Sequence, residues 1–163
     1  MAKNLIKELL KKIFYKCAIE SLHSANRQMG RLGTIEKISS IVPNIGDQYS
    51  TWKFEISNTY DVIKIRSIHA FQVELALDAL KKIRSQSAKN ALSVVDIGDS
   101  SGTHTRYLKE LCSELDMGQV EFLSVNLDSD AVERILAKGG RAIQARAEDL
   151  HQAAGYQKHP DLY

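Results

Sequence analysis

The sequence holds few of the residues that staple or punctuate small folds: two cysteines and two prolines in 163 residues. Cys17 and Cys112 stand far apart and fit no metal or redox spacing, so they read as reduced thiols on apolar helix faces. No apolar run approaches the roughly 18 residues that a membrane span needs. No signal peptide is recognisable either, and a cytoplasmic location is expected. Neither sign of charge dominates, since 22 Lys and Arg against 20 Asp and Glu leave a formal net charge of +2. That balance makes no case for a nucleic-acid partner. The length suits one domain with a real core and hardly two.

What the chain does have is helical periodicity at its start. "AKNLIKELLKKIFYKCAIESL" places Leu5, Ile6, Leu9, Leu10, Ile13, Phe14 and Cys17 at helical spacing, with Lys3, Lys7, Lys11, Lys12 and Lys16 crowded among them. The segment reads as an amphipathic helix docked on its own domain or on a second copy in a homo-oligomer. The alternative is peripheral contact of the Leu5–Leu22 helix with an anionic membrane surface. Residues 23–50 read as polar connecting structure around a short helix near Ile35–Ile41. Alternation of Trp52, Phe54 and Ile56 suits a short half-buried strand. A long helix is expected from about Thr59 to Ser85, with Ile68, Phe71, Leu75, Ala79 and Ile83 on one apolar side and Val73, Leu77 and Leu80 on a second.

After Asn90 strands and helices alternate. "LSVVDI" is the short unbroken apolar run of a strand covered on both faces, and "THTRYLKELCSEL" is an amphipathic helix. "VEFLSVNL" is a second strand. "DSDAVERILAKGG" is a helix with capping residues at its front and Gly139 and Gly140 at its end. "RAIQA" is a third strand. Strand, helix, strand, helix, strand is the pattern of a parallel α/β unit.

The turn "DIGDSSGT" joins the first strand to its helix. Gly98 permits a sharp turn and Gly102 a close helix start, where free amides attract ligands. A dinucleotide site calls for G-x-G-x-x-G, but the middle position here is Ser100, and Asp96 and Asp99 would repel a pyrophosphate. A ligand with a carboxylate for the amides and a cationic centre for the acids suits the turn better.

"VVDIGDSSGTHTRYL" resembles motif I of the class I S-adenosylmethionine-dependent methyltransferases, D-x-G-x-G-x-G after a hydrophobic strand. The resemblance spans about Leu92 to Tyr163. It implies a Rossmann-like α/β fold with a parallel sheet, of which this chain supplies strands 3-2-1. Residues 1–58 are then an N-terminal helical extension with a short strand, and residues 59–163 the first half of the cofactor-binding domain. S-adenosylmethionine is the implied cofactor, held by Asp96, Ile97, Gly98, Asp99, Ser100, Ser101 and Gly102. At the end of the second strand, where the family carries an acid for the ribose, stand Asn126, Leu127 and Asp128. Asn126 forgoes the charge-assisted bond. In "ARAEDL", Arg146 replaces the acid near adenine, leaving Ala147 and Glu148 for that role.

The implied acceptor is a small molecule, lipid or sugar. "HPDLY" reads as the opening of strand 4, which points to a truncated domain whose catalytic residues lie beyond. The exposed edge of the first strand should then be covered by the N-terminal helices, the Trp52 strand or another copy. Two ligand alternatives stay open: another nucleotide, or a fold that has lost its cofactor and serves as a non-catalytic interaction module. His69, His104 and His151 are candidate bases, and Arg66 with His69 a candidate border of the cofactor site. His23 and His159 show no metal spacing. Trp52 and Tyr60 are read as core packing rather than pocket lining.

Overall fold

The computed structural model describes residues 2–45, 59–99, 101–153, 156 and 160–163. Among them are five α-helices and three β-strands. In chain order these are α1 (Ala2–Gln28), α2 (Leu32–Ile41), α3 (Thr59–Gln86), β1 (Ala91–Ile97), α4 (Thr103–Glu114), β2 (Gln119–Asn126), α5 (Ser129–Ala137) and β3 (Ala142–Gln144). The strand expected around Trp52 lies outside the described residues. The sheet is parallel in the order β1-β2-β3, with Ala91–Ile97 of β1 in register with Gln119–Val125 of β2. The fold is therefore mixed α/β, each parallel pair being joined by a helix that carries the chain back.

Both faces of the sheet are covered, as the unbroken apolar run of β1 leads one to expect. On one face α2, α3 and α4 pack over Leu92, Val94, Val120 and Phe122. On the other, Val95, Val125 and Ile143 meet Leu150 and Tyr156 from the segment after β3. The apolar sides of α3 are ranked the other way round from the sequence reading. Ala70, Val73, Leu77 and Leu80 form the buried stripe, while Ile68, Phe71 and Leu75 are exposed. The small Ala70 lets α3 approach its neighbours closely on that side.

Helix α1 departs further from expectation. It continues through the segment read as connecting structure to Gln28, anchored by the buried Asn26, whose Nδ2 donates to Ser67 Oγ at 2.7 Å. At about 100° per residue, Tyr15, Ala18, Ile19, Leu22 and Asn26 form one stripe, and all are at least half-buried. Leu5, Ile6, Leu9, Leu10, Ile13 and Phe14 form an arc on the opposite side and are 51–74% exposed. The expected docking of this arc on its own domain therefore fails: the apolar side of α1 changes face midway along the helix. Cys17 is exposed with it, whereas Cys112 is buried. No helix among the described residues is long and apolar enough to cross a membrane.

Among the described residues, the outer edge of β1 is covered at residues 93–95 by the chain's own last residues rather than by the expected N-terminal helices. Leu162 bridges Val94 in parallel; Asp161 N donates to Ser93 O at 2.7 Å and Val95 N to Leu162 O at 2.9 Å. The Asp161 side chain adds a bond from Ser93 N at 3.0 Å and one from Lys89 Nζ at 2.5 Å. The parallel direction matches the reading of "HPDLY" as a strand opening.

One buried side chain ties the helical layer together. Arg66 of α3 is 5% exposed. Its guanidinium donates to Ile38 O and Pro43 O, both at 3.2 Å, to Val42 O, and to Tyr107 Oη of α4 at 2.8 Å. Arg66 thus holds the carbonyls of Val42 and Pro43, just past the end of α2, and adds a second donor to Ile38 O, which already accepts from Val42 N at 3.1 Å. Replacing Arg66 with Met keeps the bulk but removes the donor that ties Val42 O, Pro43 O and Tyr107 to α3, so urea denaturation should show a loss of about 3 kcal/mol or more. A loss near zero would mean the guanidinium is dispensable.

Candidate cofactor site at the end of β1

Asp96 is the sixth residue of β1, on the same side as Leu92 and Val94, the side that faces the helices. The strand ends at Ile97, which is 48% exposed. Gly98 follows at φ +93°, a conformation that excludes most side chains, and its N–H donates to Val125 O at 2.8 Å. The space beside its α-carbon is open. Gly102, at φ +75°, caps α4 and lies beside Ile135. Ser101 is buried, its Oγ 2.8 Å from Thr103 Oγ1. Ser100 lies outside the described residues.

Asp99 is 2% exposed and turns inward. Its carboxylate accepts from Thr103 N at 3.0 Å, Thr105 N at 3.3 Å and Thr105 Oγ1 at 2.9 Å. Two of the free amides at the start of α4, expected to receive a ligand carboxylate, are therefore taken by the chain itself. The acid sits three residues before the N-cap Gly102, upstream of the position where a capping residue is read from sequence.

Asp96 faces a different set of groups. Its Oδ2 is 3.8 Å from His104 Nδ1, beyond hydrogen-bond length. The His104 ring meets His69 of α3 edge-on, with centroids 4.8 Å apart. Burial pushes Asp96 up to about 7, and the nearby Asp99 charge adds to the rise. Burial lowers His104, with Asp99 opposing. His69, only 3% exposed, is pushed down to about 3 by burial first, then by His104 and Arg66. Near neutral pH, His69 is thus uncharged and Asp96 is close to its midpoint.

His69 Nδ1 and His104 Nε2 are buried without hydrogen-bond partners among the described residues. One ligand atom each from Asp96, Asp99 and His104 fall within 4.8 Å of one another, a spacing that a cation could bridge. Both Asp99 oxygens already serve α4, however, so an ion would compete with the cap. The sequence placed His104 just past Gly102 and His69 on the bordering helix. It did not show that the two meet, because their contact depends on how α3 crosses α4.

The end of β2 is organised for local use. Asn126 Oδ1 accepts from Asp128 N at 2.9 Å, and its Nδ2 reaches Asp99 O at 3.4 Å. Asp128 caps α5 by accepting from Asp130 N at 3.0 Å. Leu127 is 65% exposed. After β3, Ala147 is exposed and Glu148 pairs with Arg146 at 2.7 Å. A backbone hydrogen bond and that arginine hold the Glu148 carboxyl below its ordinary range. His151 is exposed, 2.9 Å from Gln152 Nε2. Tyr60 is half-buried, its ring 5.6 Å from that of Tyr15.

A separate open groove of 890 Å³ runs between α4 and α5 over Phe122 and Ser124. It shares Ser101, Gly102, Thr103 and Thr105 with the residues above but none of Asp96, Asn126, Asp128 or Glu148. Arg106, Lys109 and Lys138 line it, with Glu110 and Glu121 in opposition.

No protein-family model, curated protein or solved structure matches this chain.

Two measurements check this electrostatic picture. Asp99→Ala removes the α4 cap and takes the carboxylate acceptor from Thr103 N and Thr105 N, so stability should fall by about 2 kcal/mol. His69 supplies the second. Its folded pKa lies below its unfolded one, so the stability that depends on its neutral form is complete above about pH 6.5 and lost as pH falls towards about 3. Relative to a His69→Leu variant, the native chain should lose about 2 kcal/mol between about pH 7.5 and about pH 5 in urea denaturation. A difference that stays flat with pH would show that His69 protonates as freely folded as unfolded.

Proposed function

We propose that this chain is the cofactor-binding part of an S-adenosylmethionine-dependent methyltransferase, with the ligand at the carboxyl ends of β1 and β2 and a small-molecule, lipid or sugar acceptor. The observation that carries the reading is Asp96. Its carboxyl is largely buried, raised to about 7, and out of hydrogen-bond range of His104. A buried acid in that condition is stabilised by an incoming cation, and S-adenosylmethionine carries both an ammonium and a sulfonium. Open space beside Gly98 leaves the backbone approachable from the same end of the sheet. Parallel strand order, with the glycine turn between β1 and α4, fits the Rossmann-like arrangement that the motif implies.

In this reading Asp96 meets the cationic centre and the Gly98 turn accepts close backbone approach. Asn126 and Asp128 border the ribose, and Ala147 and Glu148 border the adenine. The cofactor supplies the methyl group, and transfer relies on orientation more than on dedicated catalytic side chains.

A second reading, a non-catalytic interaction module of the same fold, draws on the internal commitments of the site. Asp99 caps α4, Asp128 caps α5, and Glu148 pairs with Arg146.

Calorimetric titration with S-adenosylhomocysteine, whose ammonium remains, separates the two. Micromolar binding is expected, tightening about tenfold from about pH 6 to about pH 8 as Asp96 ionises through about 7. Asp96→Asn should weaken binding and abolish that pH dependence. A folded sample that gives no heat supports the module.

A further inference from the structure

The first half of α1 exposes more contiguous apolar side chain than any other helix described here. Leu5, Ile6, Leu9, Leu10, Ile13 and Phe14 cover about half of its circumference and point away from the stripe that packs on α3. Among the described residues, more than half of each of these six residues is left open. Charged residues are sorted around this arc. At about 100° per residue, Lys12 borders it on one side and Lys7 on the other, Lys16 stands just inside its edge beside Leu5, and Lys11 lies with Glu8 on the opposite face, its Nζ 6.0 Å from the centre of the Tyr15 ring. Lysines in those positions lay their stems along apolar surface while their ammonium groups reach outward.

We propose that this half of α1 is a docking surface for an anionic lipid bilayer, with the helix lying in the plane of the interface. Apolar residues would enter the acyl boundary and the two lysine borders would meet anionic headgroups. Pairing with a second copy fits the charge less well. It would bring Lys7, Lys12 and Lys16 of one arc against those of another, with Glu8 directed away from the contact. A lipid surface supplies the missing negative charge on both borders at once. The helix is too polar to cross a membrane, which agrees with lying on one.

Co-sedimentation of the full chain with vesicles tests this, using phosphatidylcholine alone and phosphatidylcholine with about 30% phosphatidylserine. Partitioning onto the anionic vesicles should be at least about tenfold stronger, and most of it should be lost in about 0.5 M salt. Leu9→Glu with Ile13→Glu should abolish it while circular dichroism stays unchanged, because both side chains are exposed. Replacing Lys7, Lys11, Lys12 and Lys16 together with Gln should remove the preference for phosphatidylserine while keeping the apolar arc. Equal partitioning onto both vesicle types, or none onto either, overturns the proposal. A vesicle-free dimer dissociated by the Leu9→Glu and Ile13→Glu pair, without vesicle binding, assigns the face to a second copy instead.

Discussion

The guanidinium of Arg66 is the interaction on which the helical layer depends. It joins α3 to the end of α2 through three carbonyls and to α4 through Tyr107. A lysine could not replace it, since a single ammonium lacks the planar fork that serves acceptors on two sides. Burial lowers its pKa, with Tyr107 opposing, and the charge is retained because arginine starts so high. By fixing where α4 lies on α3, this one side chain also fixes where His104 meets His69. Its charge helps keep His69 neutral, and the polar cluster beside Asp96 follows from the same crossing.

The second half of the chain was legible because each element carried a local signature. β1 is a continuous apolar run between Asn90 and Gly98, and α5 has Asp128 at its front and a left-handed Gly139 behind it. Such signals act within a few residues and survive without tertiary knowledge. The first half was less legible for the opposite reason. Helix α3 is apolar on several sides, so periodicity alone could not decide whether Phe71 or Val73 faces the core. Helix α1 carries two apolar stripes on opposite sides, and only its packing against α3 shows which is used. Arg66 gave no sign of its role, because its partners lie more than twenty residues away in both directions.

At the site, sequence located the turn but not the allocation of its polar groups. Asp96 and Asp99 are three residues apart and look equivalent as letters. Their difference comes from direction: one points along β1 toward the histidines, the other folds under the start of α4. Asn126 and Asp128 look like ribose ligands by position, yet each has a local backbone partner. Short polar side chains next to helix starts tend to find nearby amides first. Their availability to a ligand is therefore a matter of exchange rather than of vacancy.

The inward turn of Asp99 has a consequence for selectivity. Its carboxylate occupies amides that a helix start could otherwise offer to a phosphate, so toward anions the chain would act as its own competitor. Any anionic solute would have to evict a covalently tethered rival, present at high effective concentration, while facing the charge of Asp96 nearby. A cation meeting Asp96 alone would face no such rival. In the proposed site, the turn between β1 and α4 would thus discriminate by sign before it discriminates by shape.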